Sequence, residues 1–217
     1  MKNDKLKIIY EDKYIIIINK HYKLLTIGND KEKEKTLYHK VLLYLKRKNK
    51  NNKVFIVHRL DYDTSGLIVF AKDSKIKNIL QENWDKVERK YMAIVHGSIK
   101  PENNTIKSFL KETKTNLVYS TKEKDGKLAI TNYKTILKTD KYSLVDIEIK
   151  TGRKNQIRVH LSDIGFPILG DKKYGLKDNF KRMYLHAYYL KFNHPITNEL
   201  LKFELDVPKE FLDLLNK

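Results

Sequence analysis

The chain contains no cysteine. Disulfides, thiolate nucleophiles and cysteine-ligated zinc are thereby excluded, and a zinc site would have to rely on histidine and carboxylates. The seven histidines, His21, His39, His58, His96, His160, His186 and His194, show no HExxH or other close ligand spacing, so no metal is expected. Apolar runs of about 18 residues, the length that spans a membrane as a helix, are also missing. The N-terminal MKNDKLKIIYEDKY lacks the unbroken apolar stretch of a signal peptide. A cytoplasmic protein without membrane contact is expected. Proline and glycine number only 4 and 8, and no long linker, internal repeat or low-complexity domain appears.

Arginine is scarce as well. Of 45 Lys and Arg residues, only Arg47, Arg59, Arg89, Arg153, Arg158 and Arg182 are arginine. Where lysine is the default cation, an arginine suggests a need for the planar guanidinium fork. Three of the six, at 59, 153 and 158, lie in two short motifs. The formal net charge of +18 is spread along the chain and attracts polyanions, nucleic acid foremost. Part of that excess can reflect coding bias. With 41% hydrophobic and 11% aromatic residues, the 217-residue chain can bury a real core of one elaborated domain.

Residue patterning predicts mixed elements. LKIIYEDKYIIIINK reads as two strands around a turn at Glu11 to Lys13, and GNDKEKEK as a solvated charge run. Thr36 is a candidate N-cap for a helix carrying Leu37, Val41, Leu42 and Leu45, with KRKNKNNK (46–53) as a following loop and an RNA contact. Ser74 is the candidate cap of a second helix bearing Ile76, Ile79, Leu80 and Trp84. KYMAIVHG reads as a strand, and Thr105 to Lys150 as strands with turns at KDGK and KTDK. In SLVDIEIK, Val145, Ile147 and Ile149 alternate with Asp146 and Glu148, the mark of a half-buried strand. Spacing then switches: Ile157, Leu161 and Ile164 predict a short helix over 155–164, closed by Gly165. Strands at MYLHAYYLKF and LLKFEL follow, then a helix opened by Pro208 and carrying Phe211, Leu212 and Leu215. Strands dominate, and an α+β fold is predicted.

Two motifs are decoys. GFPILGDKKYG has P-loop glycine spacing, but Asp171 and Lys172 stand where Lys and Ser or Thr are required, and an acid there would repel phosphate. TSG at 64–66 lacks the first glycine of a nucleophile elbow, because Asp63 occupies it.

The chemistry concentrates in VFIVHRLDYDTSGLIVFAKD (54–73), where His58, Arg59 and Asp61 leave one strand before another begins. An aspartate at a strand end can act as nucleophile or base if a cation keeps it ionised. TGRKNQIR (151–158) offers such a cation in Arg158, able to pair with Asp61 in bidentate fashion. An ordinary structural Arg–Asp pair remains the competing account of any isolated RLD.

HRLDYDTSGLIVFAK resembles the signature of the RluA-type pseudouridine synthases. KYMAIVHG (90–97), TGRKNQIRVHLSDIGFPILGDKKYG (151–175) and LHAYYLKFNHP (185–195) agree with that family in order and approximate spacing, and IIYEDKYIIIINK is similar to its first hairpin. The resemblance implies a mixed, mainly antiparallel central sheet with flanking helices and loops and an active-site cleft across it. It implies isomerisation of uridine in ribosomal or transfer RNA to pseudouridine, with no cofactor and no metal, by a monomer. The family's catalytic aspartate falls on Asp61, its paired arginine on Arg158 and its active-site tyrosine on Tyr91. Arg59 matches the residue that fills the place of a flipped base; His58 is expected either to shape that loop or to be a satisfied structural histidine, and Thr64, Ser65 and Gly66 to form the turn that aims Asp61. Arg153 is expected to be a further RNA contact, and Ile157 and Leu185 to wall the uracil.

Departures from the family pattern accompany the likeness. The first hairpin often continues as KPxG, where this chain has Lys20, His21, Tyr22 and Lys23. Lys154 and Asn155 replace a frequent Thr and His beside the arginine. One catalytic domain over 1–217 is expected, without an N-terminal S4 RNA-binding domain. An RNA-binding or ribosome-assembly factor that kept the fold and lost the activity is the alternative; intact Asp61, Tyr91 and Arg158 favour the enzyme.

Overall fold

A computed structural model describes residues 6–28, 32–122 and 125–215 of the chain. They form two compact units, Met1–Val87 with Tyr189–Leu205, and Glu88–Tyr188 with Asp206–Lys217. Both combine antiparallel strands with helices, the α+β class predicted. Among the described residues, no helix is long and apolar enough to cross a membrane, and no group of three His, Asp or Glu is arranged to hold a metal ion.

In the first unit, β1 (Ile8–Glu11) pairs antiparallel with β2 (Ile15–Lys20), which pairs in turn with β4 (Ser65–Ala71) in a register from Ile15 opposite Ala71 to Lys20 opposite Gly66. The short β3 (Phe55–Ile56) lies on β4. Asp12 makes the first turn by accepting the Tyr14 and Ile15 amides, both at 2.7 Å. Ile15, Ile17, Leu67 and Val69 bury their side chains with Ile76 and Leu80 of α2 (Ser74–Glu82), and with Leu190 and Phe192. Those last two lie in β10 (Leu185–Asn193), whose Tyr189–Asn193 end pairs with β11 (Leu200–Glu204).

Helix α1 (Leu37–Lys48) starts where predicted, with the Thr36 hydroxyl accepting the His39 amide. It runs further than predicted: Lys46, Arg47 and Lys48 form its last turn instead of opening a loop. Cations there oppose the negative end of the helix dipole, and Lys48 reaches Glu11 at 2.9 Å. Lys48, Lys72 and Tyr44 all donate to Glu11; burial alone would raise that carboxyl, but these bonds outweigh it and hold it at about 2. Helix α2 is capped by Asp73 and not by Ser74, which becomes its first residue. The Asp73 backbone is extended, and its carboxylate accepts the Lys75 amide at 2.7 Å, as a cap must. Trp84 falls past the end of α2, in a single turn of 3₁₀ helix. Of the GNDKEKEK run, residues 29–31 lie outside the described residues, and Glu32 to Lys35 are exposed.

The second unit is a five-stranded antiparallel array in the order β5 (Glu88–His96), β9 (Tyr142–Ile149), β8 (Lys127–Lys138), β6 (Asn103–Glu112) and β7 (Val118–Thr121). Val145, Ile147 and Ile149 of β9 are buried, as their alternation predicted. Helix α3 (Gln156–Asp163) fills the predicted span, with Asn155 as its N-cap residue and Ile164 as its C-cap. Gly165 follows at φ 84°, and the Phe166 amide returns to the Leu161 carbonyl at 2.9 Å, closing the helix as a Schellman turn. In α4 (Lys209–Leu215), Phe211 and Leu215 are buried. Leu212 is 43% exposed, against expectation: a helix of two turns buries only one stripe, and position 212 lies off it.

A directional chain of hydrogen bonds fixes α3. The Ile130 amide donates to the Thr151 hydroxyl (2.9 Å), and Thr151 donates to Gln156 Oε1 (2.8 Å). Gln156 Nε2 donates to Thr131 Oγ1 (2.9 Å), which leaves the Thr131 proton for His160 Nδ1 (2.9 Å). His160 therefore carries its proton on Nε2, which donates to Ser108 (3.0 Å); Ser108 donates to Ser120 (3.1 Å), and Ser120 to Asp163. Each hydroxyl both donates and accepts, so a second proton on His160 would displace the proton that Thr131 donates to it. Burial, only partly opposed by Asp163, pulls the imidazole down to about 4.

A folded-state value below the unfolded one makes the unfolded chain the stronger proton binder, so His160 costs stability as pH falls from about 6.5 towards 4. At pH 5 the loss is about 2 kcal/mol. Urea unfolding at pH 7 and pH 5 should show His160→Gln losing about 2 kcal/mol less than the parent chain on acidification; equal losses would contradict the assignment.

Candidate active site

The sequence-predicted residues divide between the units. His58, Arg59, Asp61, Thr64, Ser65 and Gly66 belong to the first; Tyr91, Arg153, Ile157, Arg158 and Leu185 belong to the second.

The loop between β3 and β4 is anchored by alternate burial. Val57, Leu60 and Thr64 point inward, Arg59 and Tyr62 are exposed, and Asp61 and Asp63 are partly buried. His58 stacks on Trp84 with ring centroids 4.5 Å apart, and its Nε2 accepts the Val69 amide of β4 at 3.2 Å. The histidine thus ties the loop's start to β4. Gln81 of α2 adds a bond to the Val57 carbonyl at 3.0 Å. At the far end, the Thr64 amide donates to the Asp61 carbonyl at 3.2 Å, closing a four-residue turn. Ser65 and Gly66 are the first residues of β4 rather than part of that turn. Gly66 has φ 114°, a conformation that a side chain would strain.

Lys20, across from Gly66, is 1% exposed. Burial draws its ammonium down to about 7, against the opposing fields of Asp61 and Asp63. Three residues on, Lys23 occupies the place of the glycine in the KPxG pattern and adopts the left-handed φ of 56° that glycine would take there.

In the second unit, Tyr91 of β5 stands opposite Ile147 of β9 and packs into one cluster with Ile157 of α3 and Leu185 of β10. The proposed ring and the two proposed uracil walls thus belong to one apolar cluster. TGR is braced as a unit: the Arg153 amide donates to Gln156 Oε1 at 3.0 Å, and its side chain donates to the Leu128 carbonyl at 2.9 Å. A methyl group at Gly152 would lie 2.8 Å from an Arg89 nitrogen, so the glycine leaves room for a buried guanidinium.

Arg158 makes a two-pronged pair with Asp171, Nε to Oδ2 at 2.8 Å and Nη2 to Oδ1 at 2.7 Å. Asp171 is 1% exposed and also accepts the amides of Lys173 (2.9 Å) and Tyr174 (3.0 Å). Burial would raise its carboxyl, but the Arg158 bonds and charge, with those amides, outweigh it and hold it below the usual range. The guanidinium also lies 5.1 Å from the centre of the Tyr174 ring, and the Tyr174 hydroxyl donates to Asn155 at 3.2 Å. Lys154 reaches Glu112 and Asn116. Sequence reasoning missed Asp171 as a partner for Arg158. The usable signal is an acid set between Gly170 and Gly175, in a segment unfit to hold phosphate. Gln156 was missed as well.

The fold is that of a pseudouridine synthase. It superposes on Human RNA Pseudouridylate Synthase Domain Containing 4 with a TM-score of 0.80 at 24% identity, over 96% of this chain and 91% of that one. A second human structure, RNA Pseudouridylate Synthase Domain Containing 1, gives 0.72 at 22% identity over 98% and 95%. At the level of sequence, residues 14–163 match the family model described as RNA pseudouridylate synthase. The Borreliella burgdorferi protein named ribosomal large subunit pseudouridine synthase D is 36% identical over 225 residues, 99% of this chain and 69% of its own. YlyB of Bacillus subtilis, named an uncharacterized RNA pseudouridine synthase, is 35% identical over 217 residues, 97% of this chain and 72% of its own. The chain belongs to the RluA-type RNA pseudouridine synthase family and is an isomerase acting on RNA.

Removing Asp171 would leave a guanidinium without its buried counter-charge. Asp171→Ala should therefore cost about 3–5 kcal/mol of unfolding free energy in urea. A change below about 1 kcal/mol would mean that the pair is not a structural support of α3.

Proposed function

We propose that this enzyme isomerises specific uridines of ribosomal or transfer RNA to pseudouridine, with Asp61 as the catalytic carboxylate and without a cofactor. The observation that carries this reading is the loop at 57–64. Leu60 and Thr64 are buried, while Asp61 is only partly covered and Arg59 is exposed beside it. A carboxylate on so anchored a backbone is presented to substrate with little conformational freedom left to lose.

The chemistry conserves every atom of the nucleotide except one exchanged proton. The N1–C1′ bond breaks, the uracil turns, C5 bonds to C1′, the C5 proton leaves to solvent, and N1 takes up a proton in exchange. Asp61 assists either by attack on the sugar or by removing a sugar proton. The reacting atoms are inaccessible in a stacked helix, so the uridine is flipped out, and Arg59, planar and exposed, takes the vacated place in the stack. Tyr91 offers a ring to the uracil and a hydroxyl for proton handling, with Ile157 and Leu185, of the same apolar cluster, as apolar walls. Arg158, its fork oriented by Asp171, supplies positive charge for the reaction. His58 shapes the loop through Trp84 and Val69. Thr64, Ser65 and Gly66 set its exit, and Arg153 adds a cation for the RNA backbone. The net charge of +18 gives the sequence-independent part of RNA affinity.

Tritium release tests the reading. With RNA carrying 5-tritiated uridine, prepared from cells lacking this protein, the enzyme should release tritium to water. Asp61→Ala should abolish release while leaving RNA affinity within a few fold. No release from any RNA fraction, or undiminished release by the variant, would refute it.

A further inference from the structure

The segment from Lys20 to Thr26 holds the backbone on both sides of Asp61. On the C-terminal side, the Tyr62 carbonyl accepts two bonds, from Lys20 Nζ at 3.3 Å and from the Leu24 amide at 3.3 Å. On the N-terminal side, both backbone polar groups of Leu60 go to one hydroxyl: the Leu60 amide donates to Thr26 Oγ1 at 3.2 Å, and Thr26 Oγ1 donates to the Leu60 carbonyl at 2.8 Å. Thr26 and Leu60 are both buried. The residues before and after Asp61 are thus fastened to the same seven-residue stretch.

Lys20 is the centre of that fastening. Its Nζ also donates to the carbonyls of His21 at 3.1 Å and Leu24 at 2.8 Å, so three oxygens meet the three N–H bonds of an ammonium. Two of those oxygens belong to the strap and the third to the Asp61 loop. Lys20 is the largest fully buried side chain among the described residues, and a surface-binding role for it is excluded. A buried cation whose three bonds go to backbone carbonyls, one of them in the neighbouring loop, serves to fix that loop. The acids whose fields it feels are Asp61 and Asp63, both in that loop.

We infer that Lys20–Thr26 is a strap that positions Asp61 for isomerisation, with Lys20 and Thr26 as positioning residues that act through the backbone of Tyr62 and Leu60. This rests on the catalytic role proposed for Asp61. The strap sets where the carboxylate stands and leaves the RNA-facing side chains Arg59 and Tyr62 free, so its loss slows turnover without loosening RNA.

The test compares kcat and KM for tritium release by the full chain, wild type beside Thr26→Val, Thr26→Ser and Lys20→Met. Thr26→Val keeps the shape and removes both bonds to Leu60. A displacement of about 1 Å at a reacting group costs about 100-fold, so Thr26→Val should lower kcat at least about tenfold with KM within about threefold. Thr26→Ser, which restores the hydroxyl, should recover kcat to within about threefold. Lys20→Met should behave as Thr26→Val; if it does not fold, the threonine pair decides. Wild-type kcat in Thr26→Val, a rise in KM in place of a fall in kcat, or no rescue by serine would overturn the strap. Silence of the wild type would instead refute the proposed function.

Discussion

A buried ammonium must be met by oxygen on every side, and at Lys20 three backbone carbonyls meet it. That requirement organises the first unit. β2 is buried along its isoleucines and carries the lysine inward at its end. Beyond it the chain turns through Lys23 in a left-handed conformation, between the His21 and Leu24 carbonyls that the lysine collects. The Asp61 loop supplies the third oxygen. A lysine at this position is therefore bound to the geometry of two loops, and neither an arginine nor an apolar side chain offers the same compact triple donor. Asp63, which lacked a role in the sequence, contributes to the field that favours the charged lysine.

The second unit reaches a comparable rigidity by other means. Its polar side chains form a hydrogen-bonded chain with one direction, from the Ile130 amide to the Asp163 carboxylate, and every hydroxyl along it is used twice. Gln156 and His160 bind one end of α3 and its middle to the strands, while Asp171 grips Arg158 from the other side. Ile157, between those supports, joins the apolar cluster against which Tyr91 packs. Directed polar contacts of this kind define a single arrangement where an apolar interface would allow several.

What was legible in the sequence was local. Thr36, the alternation in SLVDIEIK and the pairing of Ile157, Leu161 and Ile164 with Gly165 each state their structure within a few residues, and each is found in place. Errors of one position arose where two capping residues adjoin, as with Asp73 and Ser74. The helix end at Lys48 is hidden in the sequence because a basic tract suits a loop and a helix C-terminus equally well. The burial of Lys20 and the pairing of Arg158 with Asp171 depend on chain paths that no short window contains. Arginine scarcity proved informative beyond the motifs: Arg182 pairs with Glu210 and lies 5.1 Å from the Phe211 ring centre, a double use that suits a flat cation.

The central claim is that Asp61, held by its loop, makes pseudouridine in cellular RNA. Its most direct measurement is a transcriptome-wide map of pseudouridine in cells deleted for this gene, then complemented. One or a few uridines of ribosomal or transfer RNA should lose the modification on deletion and regain it with the wild-type chain, and not with Asp61→Asn. A map unchanged by deletion, or fully restored by Asp61→Asn, would contradict the account.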